Sequence, residues 1–188
     1  MKRLPWCLVL VGVLATAAVA EEPITLVLKQ GVSGYTGCAD TYIDEQNPAS
    51  NFGTLWYMHL YMYSDDPRHS ILIRFDLDGL IPDGSVIVSA TLSVWLYQLV
   101  DMSSSNWMSV GPYRLRDYRD WVETETSWNF MRGSTYWSTP GCENTSFDRY
   151  ATLGSRLYFY NTSSVNTYYH WNVTPSVQAW HAGAQNDG

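Results

Sequence analysis

The chain has 188 residues and a formal net charge of −7, from 18 acidic and 11 basic side chains. This acidic balance argues against nucleic acid and against an anionic membrane surface as partners, because both attract basic proteins. The length suits one domain, and the 9 Trp and 14 Tyr residues favour β-sheets and surfaces that stack on sugars or proteins.

The N-terminus has the pattern of a secretion signal. Lys2 and Arg3 form a positive start, residues 4–13 form an apolar run, and residues 18–20 form a small-residue cleavage site. The apolar run is too short for a membrane anchor, so we expect no membrane span. We therefore predict a signal peptide over residues 1–20 and a secreted or cell-surface protein whose residues 21–188 form one domain.

Removal of the predicted signal peptide leaves two cysteines, Cys38 and Cys142. In an oxidising compartment a disulfide between them is the simplest prediction, and it would close a long loop. Two buried thiols, or pairing with another chain, are the alternatives.

Period-two alternation between turn-forming clusters predicts a series of short strands. In chain order, the predicted strands cover residues 24–28, 40–43, 57–63, 70–77, 86–97, 110–115, 156–160 and 168–173. In the longest strand, one face is predicted to carry Val88, Ala90, Leu92, Val94 and Leu96, and the other Ser89, Thr91, Ser93, Trp95 and Tyr97. Many short strands at this spacing predict an all-β antiparallel sandwich.

Two segments depart from the strand pattern. After residue 43, the turn formers Asn51 and Gly53 belong to a long loop. Near the C-terminus, Thr174 is a good helix N-cap and Pro175 suits the first helical position. Val177 and Trp180 then lie one turn apart, and Gly183 ends the single short helix that we predict here.

Four segments together resemble the DNRLRE domain family, from about Ala39 to the C-terminus. They are ADTYIDEQNPASNFG, ILIRFDLDGLIPDGSVIVSATLSVWLY, DWVETETSWN and YHWNVTPSVQAW. The resemblance implies a jelly-roll β-sandwich in which the long loop crosses between sheets. It also implies a non-catalytic module of secreted proteins, with carbohydrate binding established for part of the family and polysaccharide-degrading domains often alongside. The motif tryptophans, expected in the core, are Trp121, Trp128, Trp171 and Trp180.

The sequence departs from this family pattern at two places. Asn172 stands where the family has an aspartate, and the chain reaches Gly188 where the family continues into a final apolar strand. We therefore expect the final strand to be missing, with either downstream residues of a longer protein or a partner supplying it. An unfilled position would leave a sheet edge with unpaired backbone groups.

Outward-facing aromatic residues are the main candidates for a binding site. A ring on an outward sheet face can stack on the apolar face of a sugar. The candidates for carbohydrate binding, opposite the aliphatic face of their strands, are Tyr57, Tyr61, Tyr63, Trp95, Tyr97, Tyr158 and Tyr160. Cross-strand ring pairs, or contact with a neighbouring domain, are the alternative interpretation.

Two arginines add a polar candidate to this set. Arg114 and Arg116 share one face of a predicted strand, and guanidinium groups fork onto carboxylates or neighbouring hydroxyls of a sugar. The alternative is that they pair with the nearby acidic residues, as many surface arginines do. Those residues are Asp117, Asp120 and Glu123.

The sequence contains no arrangement typical of a catalytic site. Its carboxylate pairs stand in turn-like contexts, its four histidines lack metal-ligand spacing, and no G-x-S-x-G motif occurs. We predict that the chain is not an enzyme by itself and requires no cofactor. Asp40, Asp44 and Asp76 are candidates for a structural Ca²⁺ site, against the alternative that they cap turns.

Three functions are consistent with these observations. The first is a secreted, non-catalytic module that binds polysaccharide through outward aromatic and polar residues. The second is a structural or adhesive module of a cell-surface or matrix protein. The third is an accessory domain of a polysaccharide lyase or hydrolase whose catalytic domain lies outside this segment.

Overall fold

The computed structural model describes residues 7–17, 19–20, 23–60, 68–100 and 107–188. The described part is built of short strands followed by one helix. The strands are β1 (Cys7–Ala17), β2 (Val19–Ala20), β3 (Ile24–Leu28), β4 (Cys38–Asp44), β5 (His69–Phe75), β6 (Ser85–Leu96), β7 (Trp107–Val110), β8 (Tyr113–Leu115), β9 (Phe130–Arg132), β10 (Thr135–Tyr136), β11 (Arg149–Leu153), β12 (Leu157–Tyr160) and β13 (Thr167–Asn172). The helix is α1 (Thr174–His181). The predicted all-β class with one short C-terminal helix is confirmed, while the jelly-roll topology stays a prediction.

The strands pair antiparallel throughout the described part of the chain. The largest sheet has the order β13–β6–β1–β2, and β3 also pairs with β1. The other pairs are β4–β5, β8–β11, β7–β12 and β9–β10. Residues 7–17 of the predicted signal peptide thus form β1, between β3 and β6. No helix in the described residues is long and apolar enough to cross a membrane.

Two hydrophobic clusters form the core. The first joins β3, β5, β6 and α1, with Phe75, Ile87 and Val177 at its centre. The second lies on the other side of β5, where Leu72 meets the tryptophan-rich segment 121–142. Because successive residues of a strand point to opposite faces, β5 contributes to both clusters. Trp121 and Trp128 lie in the second cluster, Trp171 is buried and Trp180 packs against the first, in agreement with their predicted role.

A β-bulge in β6 overturns part of the predicted alternation. The pairing with β1 shifts between Ser89 and Ile87, which leaves Val88 as an extra residue. Ile87 is 3% exposed and Val88 is 50% exposed, so the prediction that Val88 faces the core was wrong. Beyond the bulge, Ala90, Leu92 and Val94 face the first cluster as predicted.

Three other predicted elements need correction. Residues 57–60 of the predicted strand 57–63 are not in a strand, and residues 61–63 lie outside the described residues. The predicted strand 110–115 is two strands, β7 and β8, because Pro112 cannot donate a ladder hydrogen bond. Thr174 does not cap α1 with its side chain. Its Oγ1 instead accepts a hydrogen bond of 2.8 Å from the N–H of Ala90 in β6.

The structure does not form the predicted disulfide. Cys38 and Cys142 are both free thiols, and they belong to different clusters, Cys38 beside the first and Cys142 inside the second. Burial raises the pKa of each thiol well above its ordinary range, with Asp40 adding to the effect at Cys38 and Asp148 at Cys142. Both side chains therefore act as small apolar groups.

Candidate functional site

Exposed aromatic side chains gather on two surfaces. The loop platform consists of Trp56 and Tyr57, from the long loop after β4, and Tyr97, at the end of β6. The strand platform consists of Trp107, Tyr158 and Tyr160, from the paired strands β7 and β12. Each set is rich in rings that retain much of their solvent exposure, which is the property that stacking on a ligand requires.

The rings of the loop platform form a corner. Trp56 meets Tyr97 edge-on, with ring centroids 5.6 Å apart and planes at 78°. Tyr57 also meets Trp56 edge-on, with ring centroids 5.2 Å apart. Trp56 and Tyr97 are 56% and 54% exposed, although they contact each other. The two ring planes therefore meet at nearly a right angle, with about half of each residue exposed to solvent.

A stacked pair of a buried and a half-buried ring lies next to this corner. Tyr42 of β4 stacks on Phe52 with centroids 4.3 Å apart, and Tyr57 stacks on Tyr42 at 6.3 Å. Burial, followed by the neighbouring Tyr57 hydroxyl, raises the pKa of Tyr42 to about 12. Tyr42 thus stays a neutral phenol, and it connects the loop to the β4–β5 pair.

Polar contacts fix the loop that carries the platform. The Asn51 Nδ2 donates hydrogen bonds of 2.7 Å to the carbonyls of both Glu123 and Thr126. Gly53 packs so tightly that a β-carbon there would lie 1.9 Å from the Glu123 carbonyl oxygen. The Gly53 N–H donates to Asn51 Oδ1 at 3.2 Å. The segment from Asn51 to Gly53 therefore holds the loop against residues 123–126.

A small group of titratable side chains borders the loop platform. Asp44 lies 3.0 Å from His69 Nε2, and the rings of His69 and His59 are 4.9 Å apart. Burial and the neighbouring His69 lower the pKa of His59, so this imidazole is mostly neutral at pH 7. Burial alone would raise the pKa of Asp44. Hydrogen bonds from Asn47 and Gln46, with His69 nearby, hold that pKa below its ordinary value.

The strand platform is built on a regular ladder. Tyr160 pairs with Trp107 and Tyr158 with Ser109 across the β7–β12 pair. The Trp107 and Tyr158 rings lie 5.6 Å apart with planes at 57°, and Phe159 between the two tyrosines points inward. Alternation along β12 places Tyr158 and Tyr160 on one outward face, as predicted.

The two platforms lie at the same end of the molecule. Tyr97 directly follows Leu96, which pairs with Thr167 at the start of β13. Only a short turn joins β13 to the end of β12 at Tyr160, and the Asn166 N–H in this turn donates to the Leu96 carbonyl at 2.7 Å. One long ligand could therefore contact both surfaces.

The remaining predicted aromatic residues have different positions. Trp95 is half-buried and meets Tyr168 of β13 edge-on at 4.9 Å, a cross-strand pair of the kind foreseen as the alternative. Tyr61 and Tyr63 lie outside the described residues. Of the seven predicted aromatic residues, the structure thus brings Tyr57 and Tyr97 together on one surface, and Tyr158 and Tyr160 on the other.

The predicted arginines do not belong to either platform. The guanidinium carbons of Arg114 and Arg116 lie 4.0 Å and 4.2 Å from the ring centroid of Tyr150 in β11. The Arg116 Nη2 also donates to the Thr145 carbonyl at 2.8 Å. The nearby Asp120 pairs with Arg132. Both predicted arginines therefore contact Tyr150 of β11.

The three aspartates considered for Ca²⁺ are not brought together. Asp44 and Asp76 lie at opposite ends of the β4–β5 pair, roughly 20 Å apart along strands that rise ~3.4 Å per residue. Each accepts a nearby backbone N–H, from Gln46 and Asp78 respectively. Among the described residues, no group of three or more His, Cys, Asp or Glu side chains could hold a metal ion.

Trp56 and Trp107 were missed by the sequence analysis. Neither belongs to a motif of the resembled family, and each lies next to a turn-rich stretch where strand alternation gives no facing direction. For Trp107 the usable signal was local composition, because it directly follows the polar stretch 103–106. Trp56 offered no such signal, because Leu55 and Tyr57 flank it.

Comparison with known families gives one match. The sequence model of carbohydrate-binding module family 96 matches residues 32–187, which is most of the chain and includes both platforms. No curated protein and no solved structure matches the chain significantly. The match supports the resemblance described above to the extent that it identifies a carbohydrate-binding module. It does not identify the chain as a DNRLRE domain.

Proposed function

Because the chain belongs to carbohydrate-binding module family 96, we propose that it is a secreted, non-catalytic module that holds polysaccharide mainly on the loop platform. Binding comes from stacking of sugar rings on aromatic faces, with hydrogen bonds at the edges. No bond is made or broken. The module keeps its parent protein, or an attached catalytic domain, close to the polysaccharide.

The corner formed by Trp56 and Tyr97 is the observation that carries this proposal. The apolar C–H face of a pyranose ring matches the face of an indole or phenol. A corner of two rings can contact one sugar on a face and an edge at once, which a single exposed ring cannot do. The Tyr42–Phe52 stack next to it limits the movement of the rings and so lowers the entropic cost of binding.

The strand platform supports the same function as a secondary contact. Its three rings lie on the outward face of one strand pair, with the Trp107 and Tyr158 planes at 57°, so they offer further stacking surface. Because it lies at the same end of the molecule, it extends the contact surface for a long polymer. A short oligosaccharide would occupy the loop platform alone.

A pair of tryptophan variants provides the test. Trp56→Ala and Trp107→Ala remove the same side chain from positions that are each 56% exposed. Loss of one stacked ring costs about 2 kcal/mol of binding free energy, or about thirtyfold in Kd. We therefore expect Trp56→Ala to weaken binding of a short oligosaccharide about thirtyfold, and Trp107→Ala to change it less than twofold.

The measurement begins with affinity gels containing neutral or acidic polysaccharides, followed by calorimetric titration with oligosaccharides of the retained class. Circular dichroism confirms that both variants are folded. Equal losses of oligosaccharide affinity in the two variants would contradict the proposal that the loop platform is the main binding surface. A folded chain that no glycan retards would contradict carbohydrate binding altogether and favour the structural or adhesive function.

A further inference from the structure

A polar cleft lies where the end of α1 meets the β4–β5 pair. It has a volume of about 710 Å³, and its walls come from residues within the segments 36–39, 74–79 and 180–186. Volumes of ~300–1,000 Å³ are usual for sites that bind small molecules. The cleft is therefore large enough to hold a small saccharide, and it is distinct from the exposed rings of the two platforms.

The cleft is remote from the loop platform. Asp76 N–H donates a hydrogen bond of 2.7 Å to the Gly37 carbonyl, beside the Cys38–Phe75 end of the β4–β5 pair, and both residues line the cleft. Asp44, which borders the loop platform, lies at the other end of this pair, roughly 20 Å away at ~3.4 Å per residue. A ligand in the cleft would therefore not overlap with a ligand on the loop platform.

Two residues that line the cleft carry a buried polar atom with no hydrogen-bond partner among the described residues. One atom is the donor Nε1–H of Trp180, and the other is the acceptor Oδ1 of Asn186. A buried indole N–H usually has a partner, because an unpaired buried polar group destabilises the folded state. Both side chains are held by other contacts, since Trp180 packs against the first cluster and Asn186 Nδ2 donates to the Phe75 carbonyl at 2.6 Å.

A hydroxyl group has the chemistry to satisfy both atoms. It accepts one hydrogen bond and donates another, so it can accept from the Trp180 N–H and donate to the Asn186 oxygen. A carboxylate or carbonyl can only accept, and an ammonium group can only donate. An unpaired donor and an unpaired acceptor in one cleft therefore favour a ligand that carries several hydroxyl groups, as sugars do.

The charged side chains of the cleft limit the ligand further. Asp76 and Asp78 are acidic and Arg74 is basic, so the lining sets two carboxylates against one guanidinium. The Arg74 guanidinium also lies over the Trp121 ring, 5.3 Å from its centroid. Carboxylates accept hydrogen bonds from sugar hydroxyls, whereas a ligand with a carboxylate of its own would be repelled at close range. The cleft therefore favours a neutral sugar over an acidic one.

We propose that this cleft is a second carbohydrate site, separate from the two platforms, and that it binds a neutral sugar through its hydroxyl groups. One hydroxyl accepts from Trp180 Nε1 and donates to Asn186 Oδ1, and others donate to the carboxylates of Asp76 and Asp78. Walls from three segments favour a single sugar or the end of a chain over the middle of a polymer. One molecule can then hold two glycans at once, one at each end of the β4–β5 pair.

An NMR titration of the isotope-labelled full chain tests this site directly. The Trp180 Nε1–H gives its own indole resonance, which is assigned by its loss in Trp180→Phe. The probes are methyl glucoside, methyl galactoside and methyl mannoside, titrated through the millimolar range. Methyl glucuronide is the matched acidic probe, because it differs from methyl glucoside only by a carboxylate in place of the primary alcohol. We expect a neutral glycoside to shift the Trp180 resonance, and the glucuronide to bind more weakly.

Three variants complete the test, each checked for folding by circular dichroism. Ala184 lines the cleft, whereas Ala182 is exposed two residues earlier and lies outside it. We expect Ala184→Leu to weaken binding of the neutral glycoside about tenfold or more, because it fills the cleft, and Ala182→Leu to leave binding unchanged. Trp180→Phe keeps an aromatic ring and removes the N–H. We expect it to weaken binding about fivefold, the effect of one hydrogen bond, with the Gly79 backbone amide as the reporter.

A Trp180 resonance that no neutral glycoside shifts would overturn the proposal, as would a stronger response to the glucuronide or equal effects of the two leucine variants. Binding that a chelator abolishes would make the cleft a cation site and also overturn it. Loss of the Trp180 response in Trp56→Ala would show that the cleft is not a separate site. If affinity gels still retard a chain whose Trp180 resonance never shifts, the cleft is refuted while binding at the loop platform stands.

Discussion

The loop platform and the strand platform present similar rings on very different supports. In the strand platform, the β7–β12 ladder sets the spacing of Trp107, Tyr158 and Tyr160 through backbone hydrogen bonds. In the loop platform, Trp56 and Tyr57 belong to no strand and are held by side-chain contacts several residues away. The comparison shows that exposed rings can be positioned without a strand ladder, but their position then depends on a few residues.

This difference determines how each surface should respond to mutation. A ladder distributes its support over many equivalent hydrogen bonds, so no single side chain outside the rings is essential to it. The loop platform depends on Asn51, Gly53 and the Tyr42–Phe52 stack. Changes at these positions should disturb the loop platform and leave the strand platform intact.

Gly53→Ala should have the largest effect. Its β-carbon would lie 1.9 Å from the Glu123 carbonyl oxygen, a backbone atom that cannot move aside alone. The loop must therefore shift, at a cost of about 3 kcal/mol in the free energy of unfolding. Denaturant unfolding measures this loss, and oligosaccharide titration should show weakened binding as Trp56 moves away from Tyr97.

Thr54→Ala is the control for this variant, since Thr54 is the exposed next residue of the same loop. We expect it to change stability by less than about 0.5 kcal/mol. If Gly53→Ala were as mild as Thr54→Ala, the loop would not be held by its contact with Glu123, and the proposed dependence of the loop platform on that contact would be wrong.

Asn51→Ala should come next. Its Nδ2 satisfies two backbone carbonyls, those of Glu123 and Thr126, and each lost hydrogen bond costs about 1 kcal/mol. We expect unfolding free energy to fall by about 2 kcal/mol. Asn51→Asp should be worse, because it places a carboxylate against two carbonyl oxygens. A smaller loss for Asp than for Ala in denaturant titrations would contradict this account.

Much of the fold could be predicted from sequence because alternation and turn residues act locally. The strands at residues 24–28, 168–173 and around 70–77 are present with small shifts in their ends, as is the short helix ended by Gly183. Asn172 Oδ1 accepts a hydrogen bond of 2.9 Å from the Thr174 N–H, a contact that the carboxylate of the family's aspartate could also make.

The errors in the sequence-based predictions arise from contacts between residues that are distant in sequence. The bulge at Val88 is set by the partner strand, and Thr174 binds Ala90 although the two residues are far apart in the chain. The platform residues Trp56 and Tyr97 meet only because the loop folds back on residues 123–126, which no local pattern reveals. The outward direction of Tyr158 and Tyr160 was predictable because both lie on one regular strand.

The double variant Trp56→Ala/Trp107→Ala tests whether the two platforms act on one ligand. With a short oligosaccharide, we expect its affinity to equal that of Trp56→Ala alone. With a long polymer that spans both surfaces, we expect a further loss of about threefold, because independent contacts add in free energy. The same series in affinity gels and in calorimetry distinguishes these cases. A further loss with the short ligand would show that the platforms form one site.

The smallest expected effect is a pH dependence confined to the loop platform. Partial burial and His69 lower the pKa of His59 below its unfolded value, so the folded state binds this proton less readily than the unfolded state does. Above about pH 6.5, the pKa of a histidine in the unfolded chain, His59 does not lower the free energy of unfolding. As the pH falls below this value toward the lower pKa of the folded state, the free energy of unfolding decreases. Asp44, with its lowered pKa, contributes stability that is lost only below about pH 4.

Between pH 7 and pH 5, Asp44 stays ionised, so Asp44 adds nothing to the pH response of this site, and His59→Gln isolates the contribution of His59. We expect a modest fall in Tm and in oligosaccharide affinity over this range, both reduced in His59→Gln, which cannot be protonated there. The ring contact between Trp107 and Tyr158 involves no histidine, so we expect binding that depends on the strand platform to stay constant over this pH range. An unchanged pH response in His59→Gln would place the titrating group elsewhere and remove this distinction between the two platforms.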